Sequence, residues 1–151
     1  MTERISYDDT SKGFGEGLMK TEYYLKNCGL DQKLMELMKY RVSQINGCAY
    51  CLDMHHKEAI NIGEDEQRLH SLAAWRECPF YNKKERALLQ YAEALTKNEE
   101  NYKQAFEEIS VCFSKSEIAN LTLAITQINT WNRINKAFGI IPGNYKVSEV
   151  E

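Results

Sequence analysis

QKLMELMKYRVSQINGCAYCLDMH, residues 32–55, decides the fold. Its first half places Leu34, Leu37, Met38, Val42 and Ile45 at the three-and-four spacing that gathers one apolar stripe on an α-helix. Asp31 stands where an N-cap is needed, and Asn46-Gly47 interrupts the pattern before the cysteines. With Asn46 capping a next helix that starts at Gly47, Cys48, Cys51 and His55 fall at i, i+3 and i+7, on one stripe about two turns long. Two thiols and an imidazole within mutual reach are the parts of a redox site. Cys48 lies in a first turn, where unpaired N–H groups and the helix dipole favour a thiolate. Cys51 has His55 one turn on, the relation of a nucleophile to its base.

Working outward, helical periodicity and caps dominate and long alternating β-branched runs are missing, so the chain reads as all-α, a bundle of about six to seven helices. Phe14 to Asn27 forms a first helix closed near Cys28-Gly29, and Gly63 ends the cysteine helix after Ile62. Glu64 to Glu77 reads as one helix with Leu69, Leu72, Ala73 and Trp75 inward, stopping before Pro79. Two capping boxes follow: Asn82 with Glu85 opens a helix through Thr96, and Ser114 with Glu117 opens a long one through Phe138, ended by Gly139. Between them Tyr102 to Phe113 is a shorter helix. The segment after Pro142 reads as a mobile tail, and the charged run Lys97 to Lys103 as a solvated turn.

The 151 residues fit one domain spanning 1–151, long enough to bury roughly 70% of the surface exposed by the unfolded chain. Composition, 43% hydrophobic and 27% charged, is that of a globular chain and not of a disordered or fibrous one. A net charge of −3 without a basic, aromatic-laced cluster argues against nucleic acid as a partner. No stretch approaches the length needed to span a bilayer, and the polar start at 1–12 is no signal peptide, so a cytoplasmic location is expected. Five cysteines are an odd count, unlike a secreted disulfide framework, and suit a reducing compartment. Cys28, Cys78 and Cys112 lack the setting of Cys48 and Cys51 and read as packing residues, while His56 and His70 read as surface residues.

Gly47-Cys48-Ala49-Tyr50-Cys51 with His55 resembles the alkylhydroperoxidase AhpD-like branch of the carboxymuconolactone decarboxylase family. Flanking stretches look like the same family: Ser43-Gln44-Ile45-Asn46-Gly47, Lys57-Glu58-Ala59, Trp75-Arg76-Glu77, Glu85-Arg86-Ala87 and Ile128-Asn129-Thr130-Trp131-Asn132-Arg133, so that the likeness covers residues 30–138. The resemblance implies an all-α bundle assembled as trimers or hexamers, with neither cofactor nor resident metal. It also implies reduction of a hydroperoxide by the cysteine pair, reset by an external dithiol such as a lipoyl-bearing or thioredoxin-like protein. It further implies a proton relay using a glutamate twelve residues before the first cysteine, which is Glu36. Periodicity says otherwise: Glu36 falls opposite Leu34, Met38, Val42 and Ile45 and is expected in solvent. Tyr50 stands where some relatives carry a histidine. Classical lactone decarboxylases lack the cysteine pair, which favours the redox branch.

The expected chemistry is attack of Cys51 on a hydroperoxide with His55 as base, followed by trapping of the sulfenic acid by Cys48. Three alternatives remain: a redox sensor built on the same pair, a zinc site of Cys48, Cys51 and His55 with Glu36, His56 or His70, and a decarboxylase-type reaction. Asn129, Asn132 and Arg133 form a polar ridge on the last helix, expected at a subunit contact.

Overall fold

A computed structural model describes residues 2–147. Seven α-helices and no strand occur among them: α1 (Glu16–Asn27), α2 (Gln32–Asn46), α3 (Ala49–Asn61), α4 (Glu66–Ser71), α5 (Lys83–Lys97), α6 (Tyr102–Ser110) and α7 (Lys115–Phe138). No helix of the described residues is long and apolar enough to cross a membrane. The starts follow the local signals. The Asp31 side chain accepts from Lys33 N–H at 2.9 Å, and complete capping boxes open α5 and α7 at Asn82/Glu85 and Ser114/Glu117.

The position of α2 determines the rest. It packs on α3, α5 and α7, and its side chains feed two apolar clusters. Met35, Met38 and Val42 join Leu88 and Tyr91 of α5 and Ile118, Leu121, Ile125 and Ile128 of α7, whereas Leu37 joins Ala59, Leu69, Leu72, Trp75, Tyr81 and Leu89. A helix with cores on two sides has little solvent face left. Glu36 is accordingly buried at 8% exposure, and its expected place in solvent is corrected.

Three further boundaries depart from the sequence reading. Gly47 is not the first residue of α3 but the left-handed C-cap of α2, at φ 62°, with its N–H on the Gln44 and Ser43 carbonyls. Asn46 does not cap α3, because α7 engages it: its Nδ2 donates to Asn129 Oδ1 and Asn132 Oδ1, both at 2.9 Å, and Lys136 Nζ donates to its carbonyl at 2.6 Å. Asn132 Nδ2 in turn donates to Ser43 Oγ at 3.0 Å. Of the polar ridge, Asn132 is fully buried and Asn129 half-buried, both turned onto the end of α2, while Arg133 stays exposed. The segment expected as one helix over 64–77 stops at Ser71, passes through a 3-10 turn at Leu72–Ala74 and then bends. Trp75 is drawn inward by Glu93, to which its Nε1 donates at 2.7 Å, and Arg86 takes up the Arg76 and Cys78 carbonyls that a helix would have used.

The segments before α1 and after α7 both lie on the bundle. Backbone N–H groups of Arg4 and Ile5 donate to Phe138 O at 2.7 and 3.1 Å, and Arg4 Nε donates to Ala137 O at 2.9 Å, supplying donors for the last carbonyls of α7. A 3-10 turn at Tyr7–Asp9 follows, missed from sequence despite its Ser6/Asp9 capping box. The stretch beyond Pro142, expected to be mobile, is held on α3 as far as Tyr145: Gly143 N–H donates to Asp53 Oδ2 at 3.0 Å and Lys57 Nζ to Tyr145 O at 3.0 Å. The last part of that expected tail, 148–151, lies outside the described residues.

Replacing Asn132 with alanine strips Asn46 of one acceptor and the buried Ser43 of its donor. We expect Asn132→Ala to lose about 1–3 kcal/mol of unfolding free energy in urea titrations; a loss below about 0.5 kcal/mol would contradict a structural role for the ridge.

Candidate functional site

Cys48 occupies the N-cap of α3 in extended conformation, one position before the first turn in which it was expected. Its sulfur accepts the Cys51 N–H at 3.4 Å and is joined to Cys51 in a disulfide, with 5.3 Å between the Cα atoms. Both residues are buried, at 1% and 2% exposure. The N-cap is where a side-chain acceptor meets the free N–H groups and positive end of a helix, so the arrangement that holds the disulfide also favours a Cys48 thiolate after reduction.

One turn beyond Cys51, His55 is buried and meets Glu36 from α2, with 2.7 Å between Nδ1 and Oε2. Lys39 Nζ donates to the other carboxylate oxygen at 3.0 Å and lies 3.9 Å from Glu22, which accepts from Trp131 Nε1 at 2.8 Å. Burial by itself would raise the Glu36 carboxyl, but His55 and Lys39, through charge and hydrogen bonds, outweigh it and hold the group at about 2. Burial would likewise depress the Lys39 ammonium, and Glu36 and then Glu22 reverse this to a raised value. An ionised Glu36 can only accept, so it fixes His55 with Nδ1–H toward α2 and leaves Nε2 free for proton exchange.

On the other side of the pair, Asn135 Nδ2 lies 3.5 Å from Cys51 Sγ, and Tyr7 OH lies 2.7 Å from Asn135 Oδ1. Lys39, Asn135 and Tyr7 escaped the sequence reading because they reach the site only through the packing of α2, α7 and the amino-terminal segment. Tyr50 is half-buried, with its hydroxyl pKa raised by burial and then by Asp53.

The other sequence candidates stay outside. His56 faces Glu66 at 3.3 Å and His70 is exposed. Among the described residues no group of three or more His, Cys, Asp or Glu side chains stands together as a metal site. Cys28, Cys78 and Cys112 are half-buried free thiols. A second buried carboxylate, Glu93, is held at about 2 against the raising effect of burial by hydrogen bonds from Trp75, Arg76 and Arg41; it pins the bend after α4 to α2 and α5.

Glu36 has a folded pKa below its usual 4.5, so its contribution to stability is present above that value and lost as pH falls toward about 2. Urea unfolding of the parent and Glu36→Gln should therefore differ most above pH 4.5 and converge as pH drops toward 2. A pH-independent difference over that window would contradict an ionised, paired Glu36.

The family model described as the carboxymuconolactone decarboxylase family matches residues 12–94. The uncharacterized protein YdfG of Bacillus subtilis (strain 168) is 38% identical over 141 residues, 92% of this chain and 96% of that protein. A crystal structure of an Agrobacterium tumefaciens protein of unknown function, whose name suggests antioxidant defence of the AhpD type, superposes with a TM-score of 0.90 at 40% identity, over 95% of this chain and all of that one. A peroxidase-related protein from Silicibacter sp. TM1040 shares the fold at TM-score 0.76 and 23% identity, over 85% of this chain and 70% of that one. The debrominase Bmp8 shares it at TM-score 0.73 and 22% identity, over 85% and 68%. With the dithiol, the helical architecture and these relatives in agreement, the chain belongs to the carboxymuconolactone decarboxylase family, in its AhpD-like branch.

Proposed function

We propose that the protein is a dithiol peroxidase that reduces organic hydroperoxides through Cys48 and Cys51. The observation that carries the reading is the 2.7 Å pair of His55 and Glu36, one helical turn from a cysteine pair seated at a helix N-cap. Neither thiol needs metal or cofactor for the chemistry. Family membership and a neighbour named for antioxidant defence support the same class.

In the reduced protein, His55 Nε2 takes the Cys51 thiol proton, and the resulting imidazolium is steadied by the Glu36 carboxylate. The Cys51 thiolate attacks the terminal oxygen of the hydroperoxide: an S–O bond forms, the O–O bond breaks, and the alkoxide leaves with the proton held on His55. Cys51 is then a sulfenic acid, oxidised by two electrons, and the peroxide has become an alcohol. Cys48 attacks the Cys51 sulfur, releasing water and forming the disulfide that the structure contains. An external dithiol, of the lipoyl-protein or thioredoxin type, supplies two electrons and two protons to restore both thiols. Lys39, whose own charge Glu22 supports, sits behind Glu36 and keeps the carboxylate ionised, so the base is oriented throughout the cycle. The working form is taken to be a cytoplasmic trimer or hexamer.

The order of the cysteines is tested with single substitutions. Cys48→Ser should consume one equivalent of cumene hydroperoxide and stall as a sulfenic acid captured by dimedone, while Cys51→Ser stays unreacted over the same period. Equal single-turnover reactivity of the two would reverse or remove the assignment. Replacing His55 with glutamine should slow peroxide consumption by roughly 10²–10⁴, read by stopped flow with saturating reductant; an unchanged rate would eliminate His55 as the base.

A further inference from the structure

The Cys51 sulfur has a neighbour that the relay above does not use. In the disulfide it carries no hydrogen and can only accept, so the Asn135 atom 3.5 Å away must be the amide nitrogen. The amide oxygen then faces Tyr7, whose hydroxyl donates to it at 2.7 Å. Asn135 is 6% exposed, in the last turns of α7, and its side chain makes these two bonds at opposite ends of one planar group. Tyr7 is fixed from outside: its ring packs on Trp131 and Phe138, and the preceding Arg4 and Ile5 are bound to the Phe138 carbonyl. Its hydroxyl pKa is raised by partial burial and then by Tyr50, so it remains a donor at neutral pH.

We propose that Asn135 is a catalytic residue of the dithiol site, donating its amide N–H to the Cys51 sulfur and stabilising the thiolate, and that Tyr7 positions it. A sulfur anion is a stronger acceptor than a disulfide sulfur, so the bond seen in the oxidised protein strengthens on reduction. The two cysteines thus receive different donors. Cys48 is served by the helix N-terminus through the Cys51 N–H, and Cys51, one turn into the helix and beside His55, is served by a side-chain amide from α7. Around Cys51 stand Cys48 and His55 on its own helix, Glu36 and Lys39 behind His55 from α2, Asn135 from α7 and Tyr7 behind it from the amino-terminal segment; in the test Cys48 is serine throughout, and only the last two are varied. The importance of the amide for turnover rests on the peroxidase reading, but its effect on the thiolate does not.

The test is the pH dependence of iodoacetamide alkylation at Cys51, followed by peptide mass mapping in full-length Cys48→Ser protein. Adding Asn135→Leu, nearly isosteric and without the donor, should raise the Cys51 titration midpoint by about one pH unit. Tyr7→Phe should raise it less in the same direction, and the triple variant should exceed Asn135→Leu by little, because Tyr7 acts through Asn135. An unchanged midpoint in a folded Asn135→Leu protein overturns the assignment of Asn135. If that variant fails to fold, Tyr7→Phe decides, and no shift overturns the proposal. A Tyr7→Phe shift that adds in full to that of Asn135→Leu overturns the positioning role of Tyr7. Hydroperoxide consumption by the unsubstituted protein is followed in parallel. Shifted titration without consumption refutes the peroxidase reading and leaves Asn135 assigned, and consumption with unshifted titration refutes the assignment alone.

Discussion

A carboxylate taken out of water must be paired, and Glu36 is paired on both oxygens, by His55 from α3 and by Lys39 from its own helix. This contact ties α2 to α3 across the turn that carries the cysteines. It also gives the imidazole a defined tautomer, since an ionised carboxylate cannot donate. Lys39 adds a second opposite charge, and Glu22 with Trp131 extends the chain to α1 and α7. Removing one member of such a chain leaves another buried and unmatched, so orientation of the base and integrity of the helix seam depend on the same atoms.

The cysteine pair depends in turn on how α2 ends. Gly47 in the left-handed region reverses the chain without a Cβ penalty, and the next residue, Cys48, becomes the N-cap of α3. Asparagines of α7 hold the end of α2 from beneath, and Asn135 of the same helix reaches Cys51. One long helix thus supports the turn and touches the sulfur. The donors at the two sulfurs differ in kind, a backbone N–H at Cys48 and a side-chain amide at Cys51, so the pair is chemically asymmetric before any substrate arrives.

Local chemistry was legible in the sequence where a signal acts within a few residues. Asp31, the boxes at Asn82/Glu85 and Ser114/Glu117, and Gly139 mark real helix ends, and the spacing of Cys48 and Cys51 does bring the two sulfurs together. The failures share a cause. Asn46 looked like a cap because α7, which claims it, lies 83 and 86 residues along the chain, and Glu36 looked like a solvent residue because packing of α3 against α2 closes over its face. A helical wheel assumes one apolar side, whereas α2 serves two cores. The expected helix over 64–77 yields to Glu93, whose hold on Trp75 and Arg76 spans 18 and 17 residues of sequence. Glu36 itself was named by family resemblance against the periodicity, and its burial accords with the resemblance.

The central claim, that the Cys48–Cys51 pair turns a hydroperoxide into an alcohol at the expense of two thiol hydrogens, is tested most directly by intact-mass measurement. Fully reduced, chelator-treated protein is given one equivalent of an organic hydroperoxide, and the cysteines are then mapped by peptide analysis. The account predicts rapid loss of two hydrogens, located in a disulfide between Cys48 and Cys51. An unchanged mass, or oxidation confined to Cys28, Cys78 or Cys112, would contradict it.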